Sequence, residues 1–244
     1  FSYKKKMINF LVKNILIFFD YFHKKKIINN LKKIIPNGYL KVILDVGAHK
    51  GESIELFLKN FKVDLIISFE PSKFTFKKLL KNSENLKNKF INTNIHLENF
   101  AVGNIDSDIE LNYLNETSSS TLRELNVNSK YFKKKENLFG KLINKKITVK
   151  QINFNKYLEK KDLKKIDLLK IDTEGYELEV LKGLKDLISK VSIILFEHHY
   201  DNMIIKNYKF SDINQLLRNN GFKRAYKFKM PFRKTFEYIY IKND

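Results

Sequence analysis

The stretch Val42-Ile43-Leu44-Asp45-Val46-Gly47-Ala48-His49-Lys50-Gly51-Glu52-Ser53 decides the fold. Val42 to Val46 is a short, mostly apolar run that reads as a buried strand. A glycine-punctuated turn follows, and apolar residues resume at helical spacing from Ser53 to Asn60. Glycines at 47 and 51 let the backbone turn sharply and approach a ligand with no Cβ in the way. Strand, tight turn and helix in that order form the opening unit of an open α/β sheet.

The same alternation continues outward from this stretch. Leu65 to Phe69, Ile95 to Val102, Ile166 to Ile171 and Ile193 to Phe196 read as strands. Most are apolar on both faces, as in a parallel sheet covered on both sides by helices. Lys73 to Leu86, Glu177 to Leu187 and Ile213 to Asn219 supply helical patterns. The C-terminus departs from this rhythm. Phe222, Tyr226, Phe228 and Met230 alternate with Lys223, Lys227 and Lys229; Pro231 marks a turn; Phe236 to Ile241 is nearly all apolar. This predicts an antiparallel hairpin whose first strand is half-exposed and whose second is slotted inside the sheet. The expected fold is α/β: a doubly wound Rossmann-like sheet, mostly parallel, of the class I methyltransferase arrangement, over residues 41–244. Residues 1–40 are expected to form an N-terminal helical extension.

In that extension Ile8, Leu11, Val12, Ile15, Phe19 and Phe22 fall at helical spacing. Lys13 and Asp20 interrupt the run, which is therefore too broken to span a membrane. A signal peptide would have a cleaner apolar run and a small-residue cleavage site. The first residue is Phe, so the start reads as truncated. A helix packed on the domain, in a cytoplasmic protein, is the plain expectation. A basic amphipathic helix at a membrane surface is the alternative. The polar stretch Asn112 to Lys146 is too long for an ordinary connection and reads as a lid or substrate loop containing some helix.

Composition narrows the chemistry. The 244 residues include no cysteine, which excludes disulfides, cysteine zinc sites and a thiol nucleophile. The net charge of +20 suggests nucleic acid, but nearly all of it is scattered lysine. The only arginines are Arg123, Arg218, Arg224 and Arg233, and arginine is the usual residue for bidentate recognition of bases and phosphates. The bias toward Lys, Asn, Ile and Phe is what an AT-rich genome produces without selection. Nucleic acid is therefore disfavoured as a partner, and oligomeric state is not readable.

Four segments carry candidate chemistry. The turn after the first strand has the spacing G-x-x-x-G with His49 in the middle, not the dinucleotide G-x-G-x-x-G, and it is no P-loop. Glu70 ends the next strand in Phe69-Glu70-Pro71-Ser72, about 20 residues on, where a carboxylate accepts hydrogen bonds from a ribose. Lys170-Ile171-Asp172-Thr173-Glu174-Gly175-Tyr176-Glu177 closes the fourth parallel strand, so Asp172 faces a site at the strand ends, and Glu174 either joins it or complements the dipole of the following helix. Glu177 is assigned to the following helix or a structural contact. Phe196-Glu197-His198-His199-Tyr200-Asp201 closes the fifth strand. Adjacent residues there point to opposite faces, so at most one histidine reaches the site, as a general base for a hydroxyl. No metal ligand is assigned; a metal held by Asp172, Glu197 and a histidine is the alternative.

Together these segments resemble the FkbM family of methyltransferases. The likeness rests on Leu44 to Gly51, on Phe69 to Ser72 with Leu80 and Asn82, and on Asn99-Phe100-Ala101-Val102-Gly103. It also rests on Ser119-Ser120-Thr121-Leu122, on Asp167 through Glu177 to Leu181-Lys182-Gly183, and on Phe196-Glu197-His198. The resemblance implies S-adenosylmethionine as cofactor. It places Asp45, Gly47, Ala48, Gly51, Glu70, Pro71, Ser72, Asn99, Ala101, Val102 and Asp172 around that cofactor. Asp172, His198 and His199 are the catalytic candidates, and Ser119, Ser120, Glu174 and Glu197 the acceptor-binding ones. It also implies O-methylation of a small-molecule or carbohydrate hydroxyl. The competing expectations are a non-catalytic protein binding a partner or membrane through its basic surface, and a nicotinamide-dependent oxidoreductase.

Overall fold

The computed structural model describes residues 2–243; side chains of the first helix are described at Met7, Leu11, Val12 and from Asn14 onward, so those of Ile8 and Lys13 lie outside the described set. The chain opens with helix α1 (Ser2–Ile34) and then strand β1 (Tyr39–Val46). Helix α2 (Glu52–Leu58), strand β2 (Lys62–Phe69), helix α3 (Lys73–Lys89) and strand β3 (Asn94–Glu98) complete the first half of the sheet. A small excursion follows: β4 (Ala101–Gly103), β5 (Ser107–Leu114), β6 (Glu124–Leu125), α4 (Lys130–Phe139) and β7 (Asn144–Asn153). The chain then returns through α5 (Phe154–Lys161), β8 (Ile166–Ile171), α6 (Glu177–Leu184) and β9 (Val191–His199). Short β10 (Ile204–Ile205), α7 (Phe210–Asn219) and the hairpin β11 (Phe222–Lys229) and β12 (Thr235–Lys242) end it.

The main sheet has seven strands in the order β11-β12-β9-β8-β1-β2-β3. β3, β2, β1, β8 and β9 run parallel, and β12 inserts antiparallel between β9 and β11. Tyr238, Ile239 and Tyr240 of β12 are completely buried, as the apolar run Phe236 to Ile241 predicts. Strand order reverses between β1 and β8, so the loops leaving these strands diverge and open a crevice. One apolar layer, with Leu181, Ile213 and Phe154, packs α5, α6 and α7 on one face; the other, with Leu31, Ile54 and Leu79, packs α1, α2 and α3 on the opposite face.

Local chemistry sets the helix starts. Ser72 caps α3 by accepting the Thr75 N–H at 3.3 Å, and Asn153 caps α5 by accepting that of Lys156 at 3.1 Å. Helix α2 starts from Gly51 at φ 96°, a conformation that favours glycine.

Three expectations need correction. Ile95 to Val102 is not one strand. Asn99 donates to the carbonyls of Glu70 and Pro71, turning the chain out of the main sheet, and β4 joins a second sheet ordered β4-β7-β5. The stretch Asn112 to Lys146 is more ordered than a lid loop: it holds the end of β5, a 3-10 turn at Thr117–Ser119, β6, α4 and the start of β7. The helix after β8 stops at Leu184, and a 3-10 turn (Lys185–Lys190) follows.

Helix α1 extends well past Phe22. Its second half is core, with Ile27, Ile28 and Leu31 at most 3% exposed, whereas Leu11, Ile15, Ile17, Phe18 and Phe22 are exposed. His23 pairs with Glu237 at 2.5 Å, Asp20 pairs with Arg233 at 2.8 Å, and the Phe19 ring meets that of Phe232 at 5.1 Å. These contacts fasten the middle of α1 to the C-terminal hairpin. Among the described residues, no helix is long and apolar enough to cross a membrane. Leu31→Ala is expected to cost about 2–5 kcal/mol in urea unfolding. Ile17→Ala, on the exposed half, should stay within about 0.5 kcal/mol. Equal effects would contradict the division of α1 into core and surface halves.

Candidate active site

A cavity of about 790 Å³ opens over the carboxyl ends of β1, β2, β8 and β9. That is within the roughly 300–1,000 Å³ typical of small-molecule sites. Its floor is the turn after β1. Gly47, at φ 83°, brings the chain so close to the loop after β8 that a Cβ there would lie 1.8 Å from the Asp172 carbonyl oxygen. The amides of this turn are all engaged within the protein. Gly47 and Ala48 donate to the Phe69 carbonyl, His49 to Glu70 Oε2, Lys50 to Glu52 Oε2 and Gly51 to the Ala48 carbonyl. No nest of free N–H groups is left there for a pyrophosphate.

Glu70 forms the next wall. It is 8% exposed and accepts N–H bonds from Ser72 at 2.9 Å and His49 at 3.1 Å, one on each oxygen. Burial pushes its carboxyl up to about 7 in spite of these bonds. Pro71, Phe100, Ala101 and Val102 continue this side.

Beneath the turn lies a buried ionic knot. Lys170 Nζ stands 3.2 Å from Asp45 Oδ1 and 3.5 Å from Asp172 Oδ2, and donates to the Gly47 carbonyl at 3.1 Å. Burial disfavours its charge, but Asp45 and Asp172 override this and hold it protonated well above the ordinary lysine range. Asp45 is completely buried, and Ser53 donates to its other oxygen at 2.6 Å. Asp172 is the exposed member of the knot, with 38% of its side chain open at the cavity.

The far side is acidic. Glu174, Glu197 and His199 converge, with His199 Nε2 at 3.0 Å from Glu174 and 2.8 Å from Glu197. The other ring nitrogen faces Thr235 Oγ1 at 3.2 Å and Asp201 Oδ2 at 3.5 Å. Burial opposes charge on His199, but Glu174, Asp201 and Glu197 outweigh it and raise its pKa well above the usual value. His198 points to the opposite face of β9, among Tyr200, Tyr208 and Phe210, and burial lowers it to about 3.

Most of the residues expected at a site line this cavity, but five do not. Asp45 sits below the floor, Gly51 starts α2, Ser72 caps α3, Asn99 turns the chain, and His198 lies on the far face. Ser119 and Ser120 line it, with their oxygens already engaged: Lys135 donates to Ser119, and the Leu114 N–H donates to Ser120 at 3.1 Å. Glu177 is completely buried and ties the loop 173–176 together by accepting from Gly175 N–H at 2.8 Å and Thr173 Oγ1 at 3.1 Å. Lys135, Arg233, Thr117 and the α1 residues Ile15 and Leu16 also line the cavity, unforeseen from sequence. Lys135 belongs to the run Lys133-Lys134-Lys135, which carries no signal to separate it from solvated neighbours.

The family model for the Methyltransferase FkbM domain matches residues 45–224. The chain belongs to the FkbM methyltransferase family. Family and fold are those of S-adenosylmethionine-dependent methyltransferases. Among solved structures, the methyltransferase FkbM from Methylobacillus flagellatus KT is similar at a TM-score of 0.55 and 15% identity, over 84% of this chain and 44% of that one. This chain thus spans less than half the length of that FkbM protein. The magnesium protoporphyrin IX methyltransferase from Synechocystis PCC 6803, solved with bound SAM, is similar at a TM-score of 0.51 and 9% identity, over 91% of this chain and 81% of that one. No curated protein matches the sequence. The FkbM match begins at Asp45 and ends at Arg224, so α1 and β12, which help to wall the cavity, lie outside it.

Replacing Lys170 with methionine leaves Asp45 buried without a counter-charge. The expected cost is about 3–5 kcal/mol in chemical unfolding, with the loss partly restored in a Lys170→Met, Asp45→Asn double variant. Unchanged stability of Lys170→Met would show that the knot does not hold the floor of the site together.

Proposed function

We propose that this FkbM-family protein binds S-adenosylmethionine at the floor of the cavity and methylates a hydroxyl oxygen of a small-molecule or carbohydrate acceptor. The observation that carries the cofactor assignment is the combination of a turn with its amides already spent and a cavity-facing carboxylate at Glu70. A nicotinamide dinucleotide needs free turn amides for its pyrophosphate; an adenosyl group without phosphates does not. In this reading Glu70 accepts from the ribose hydroxyls, Gly47 and Ala48 give close backbone approach, and Phe100 to Val102 border the adenine. The cofactor, when bound, supplies an electrophilic methyl group on a sulfonium.

The chain's own part is positioning and proton handling. Asp172 presents its carboxylate to the cavity and is the proton acceptor for the hydroxyl. His199 is surrounded by Glu174, Glu197 and Asp201, which retain a proton on it, so it serves to hold these carboxylates in place. His198 faces away from the cavity and takes no part. Glu174 and Glu197 form the wall against which the acceptor is oriented. A wall that presents Glu174 and Glu197 beside His199 suits the hydroxyl groups of a neutral polyol, which supports a sugar-like acceptor.

Calorimetric titration with S-adenosylmethionine, with NADH as control, tests the cofactor. Micromolar binding of the methyl donor, lost in Glu70→Ala, is expected; selective binding of NADH would overturn the assignment. Because ribose hydroxyls donate to ionised Glu70, binding should weaken as pH falls below about 7. The slope approaches about tenfold per pH unit, and Glu70→Gln should remove it. The folding linkage has the opposite sense: with its pKa raised from 4.5 to about 7, Glu70 adds stability that is complete below 4.5 and lost as pH rises through about 7.

Isotopic methyl transfer to a panel of sugars identifies the acceptor, with the methyl group found on oxygen. Asp172→Asn should lower turnover about 100-fold or more, while His198→Phe keeps turnover. Loss of turnover in His198→Phe with Asp172→Asn unaffected would reverse these roles.

A further inference from the structure

We infer that Glu174, Glu197 and His199 form a divalent-cation site in the acceptor half of the cavity, one that takes a metal of the Mn²⁺ or Zn²⁺ type. The inference deepens the methyl-transfer reading above and rests on it for its catalytic meaning. The three side chains come from two strand ends, Glu174 from the loop after β8 and the other two from β9, and each offers a ligand atom within 4.8 Å of the rest. One imidazole and two carboxylates are a donor set for borderline and hard divalent ions.

The geometry favours a shared ion over mutual hydrogen bonds. His199 is 8% exposed, and its Nε2 is aimed at the two carboxylates at 2.8 and 3.0 Å. Yet Nε2 and Glu174 Oε2 are both buried with no hydrogen-bond partner. The two carboxylates stand within ion-pair distance of Nε2. Donors around an octahedral ion with bonds of about 2.1 Å stand about 3.0 Å apart, close to the two distances from His199 Nε2 to the carboxylates. The second ring nitrogen faces Thr235 and Asp201. A ligating histidine characteristically donates its other N–H to such a carboxylate or hydroxyl partner, which fixes the tautomer with the free lone pair toward the metal. The cations nearby have their hydrogen-bond and ion-pair partners elsewhere, Lys135 in Glu116 and Ser119, Lys170 in Asp45 and Asp172, Arg233 in Asp20 and Lys206 in the His199 carbonyl, although Lys135 and Lys206 also feel the charge of Glu174.

Three protein ligands leave coordination positions open toward the cavity. An acceptor hydroxyl bound there has its pKa lowered by the ion. The ion would supply this Lewis-acid activation, and the hydroxyl proton would pass to the Asp172 carboxylate. Binding the ion also requires His199 to give up its own proton.

The test uses the full chain stripped with chelator and titrated calorimetrically with Mn²⁺, with Zn²⁺ as competitor and S-adenosylmethionine titrated into the same preparation. One Mn²⁺ per chain is expected, with proton release that differs between buffers of different ionisation enthalpy. Pulsed EPR of the complex should show hyperfine coupling to one directly bound nitrogen. His199→Gln should abolish that coupling, Glu197→Gln should abolish stoichiometric binding, and Asp201→Asn should weaken it about 10–100-fold. His198→Phe should leave all of these unchanged, and thermal melts show which variants remain folded. Absence of stoichiometric binding to the wild-type chain at millimolar Mn²⁺, or nitrogen coupling that persists in folded His199→Gln, overturns the site. If S-adenosylmethionine still binds in that case, only the metal inference falls; if the metal binds and the methyl donor does not, the cofactor reading falls alone.

Discussion

The structure depends on one buried cation. Lys170 sits near the end of β8, in the centre of the sheet, where an ammonium group survives only if carboxylates and carbonyls replace its water. It finds Asp45 at the end of β1, Asp172 just past β8 and the carbonyl of Gly47 between them. These contacts join the two strands that flank the switch in strand order. The crevice that opens there is therefore pinned at its base, and its floor is set by the same atoms that hold the sheet together. Gly47 completes the arrangement, since any side chain at this position would collide with the backbone of Asp172.

Above the knot, charge is sorted by depth. Asp45 is sealed, Asp172 is open, and Glu174, Glu197 and Asp201 gather about His199. The cationic groups lining the cavity come from separate parts of the chain, Lys24 from α1, Lys134 and Lys135 from α4, Lys170 from β8 and Arg233 from the β11–β12 turn. The protein's large positive charge thus stays mainly on its outer surface, while the cavity's far wall remains acidic. This is why a net charge of +20 is a poor guide to what the site accepts.

Much of the fold was legible in the sequence. The parallel strands announced themselves as apolar runs because both faces are covered, and β12 did so because it lies between two neighbours. Ile166 to Ile171 matches β8 at both ends. The break at Asn99 was not legible, because it comes from side-chain hydrogen bonds to carbonyls 28 and 29 residues away. Nor was the second sheet, whose strands β5 and β7 carry many exposed polar residues and run into a stretch that composition marks as loop.

The sequence by itself determined the strand–turn–helix units, the family and the set of carboxylates and histidines at the strand ends, because these are written in local spacing and residue type. Tertiary structure alone decided which of them meet. Pleat parity limits the cavity to one histidine of the pair, but only packing on Tyr208 and Phe210 selects His198 for the core and leaves His199 to the acid cluster. Asp45 and Asp172 look alike in sequence, and burial alone makes one a structural anion and the other a group open to the cavity. The walls from α1 and α4 are likewise contacts between segments far apart in the chain, which no local pattern encodes.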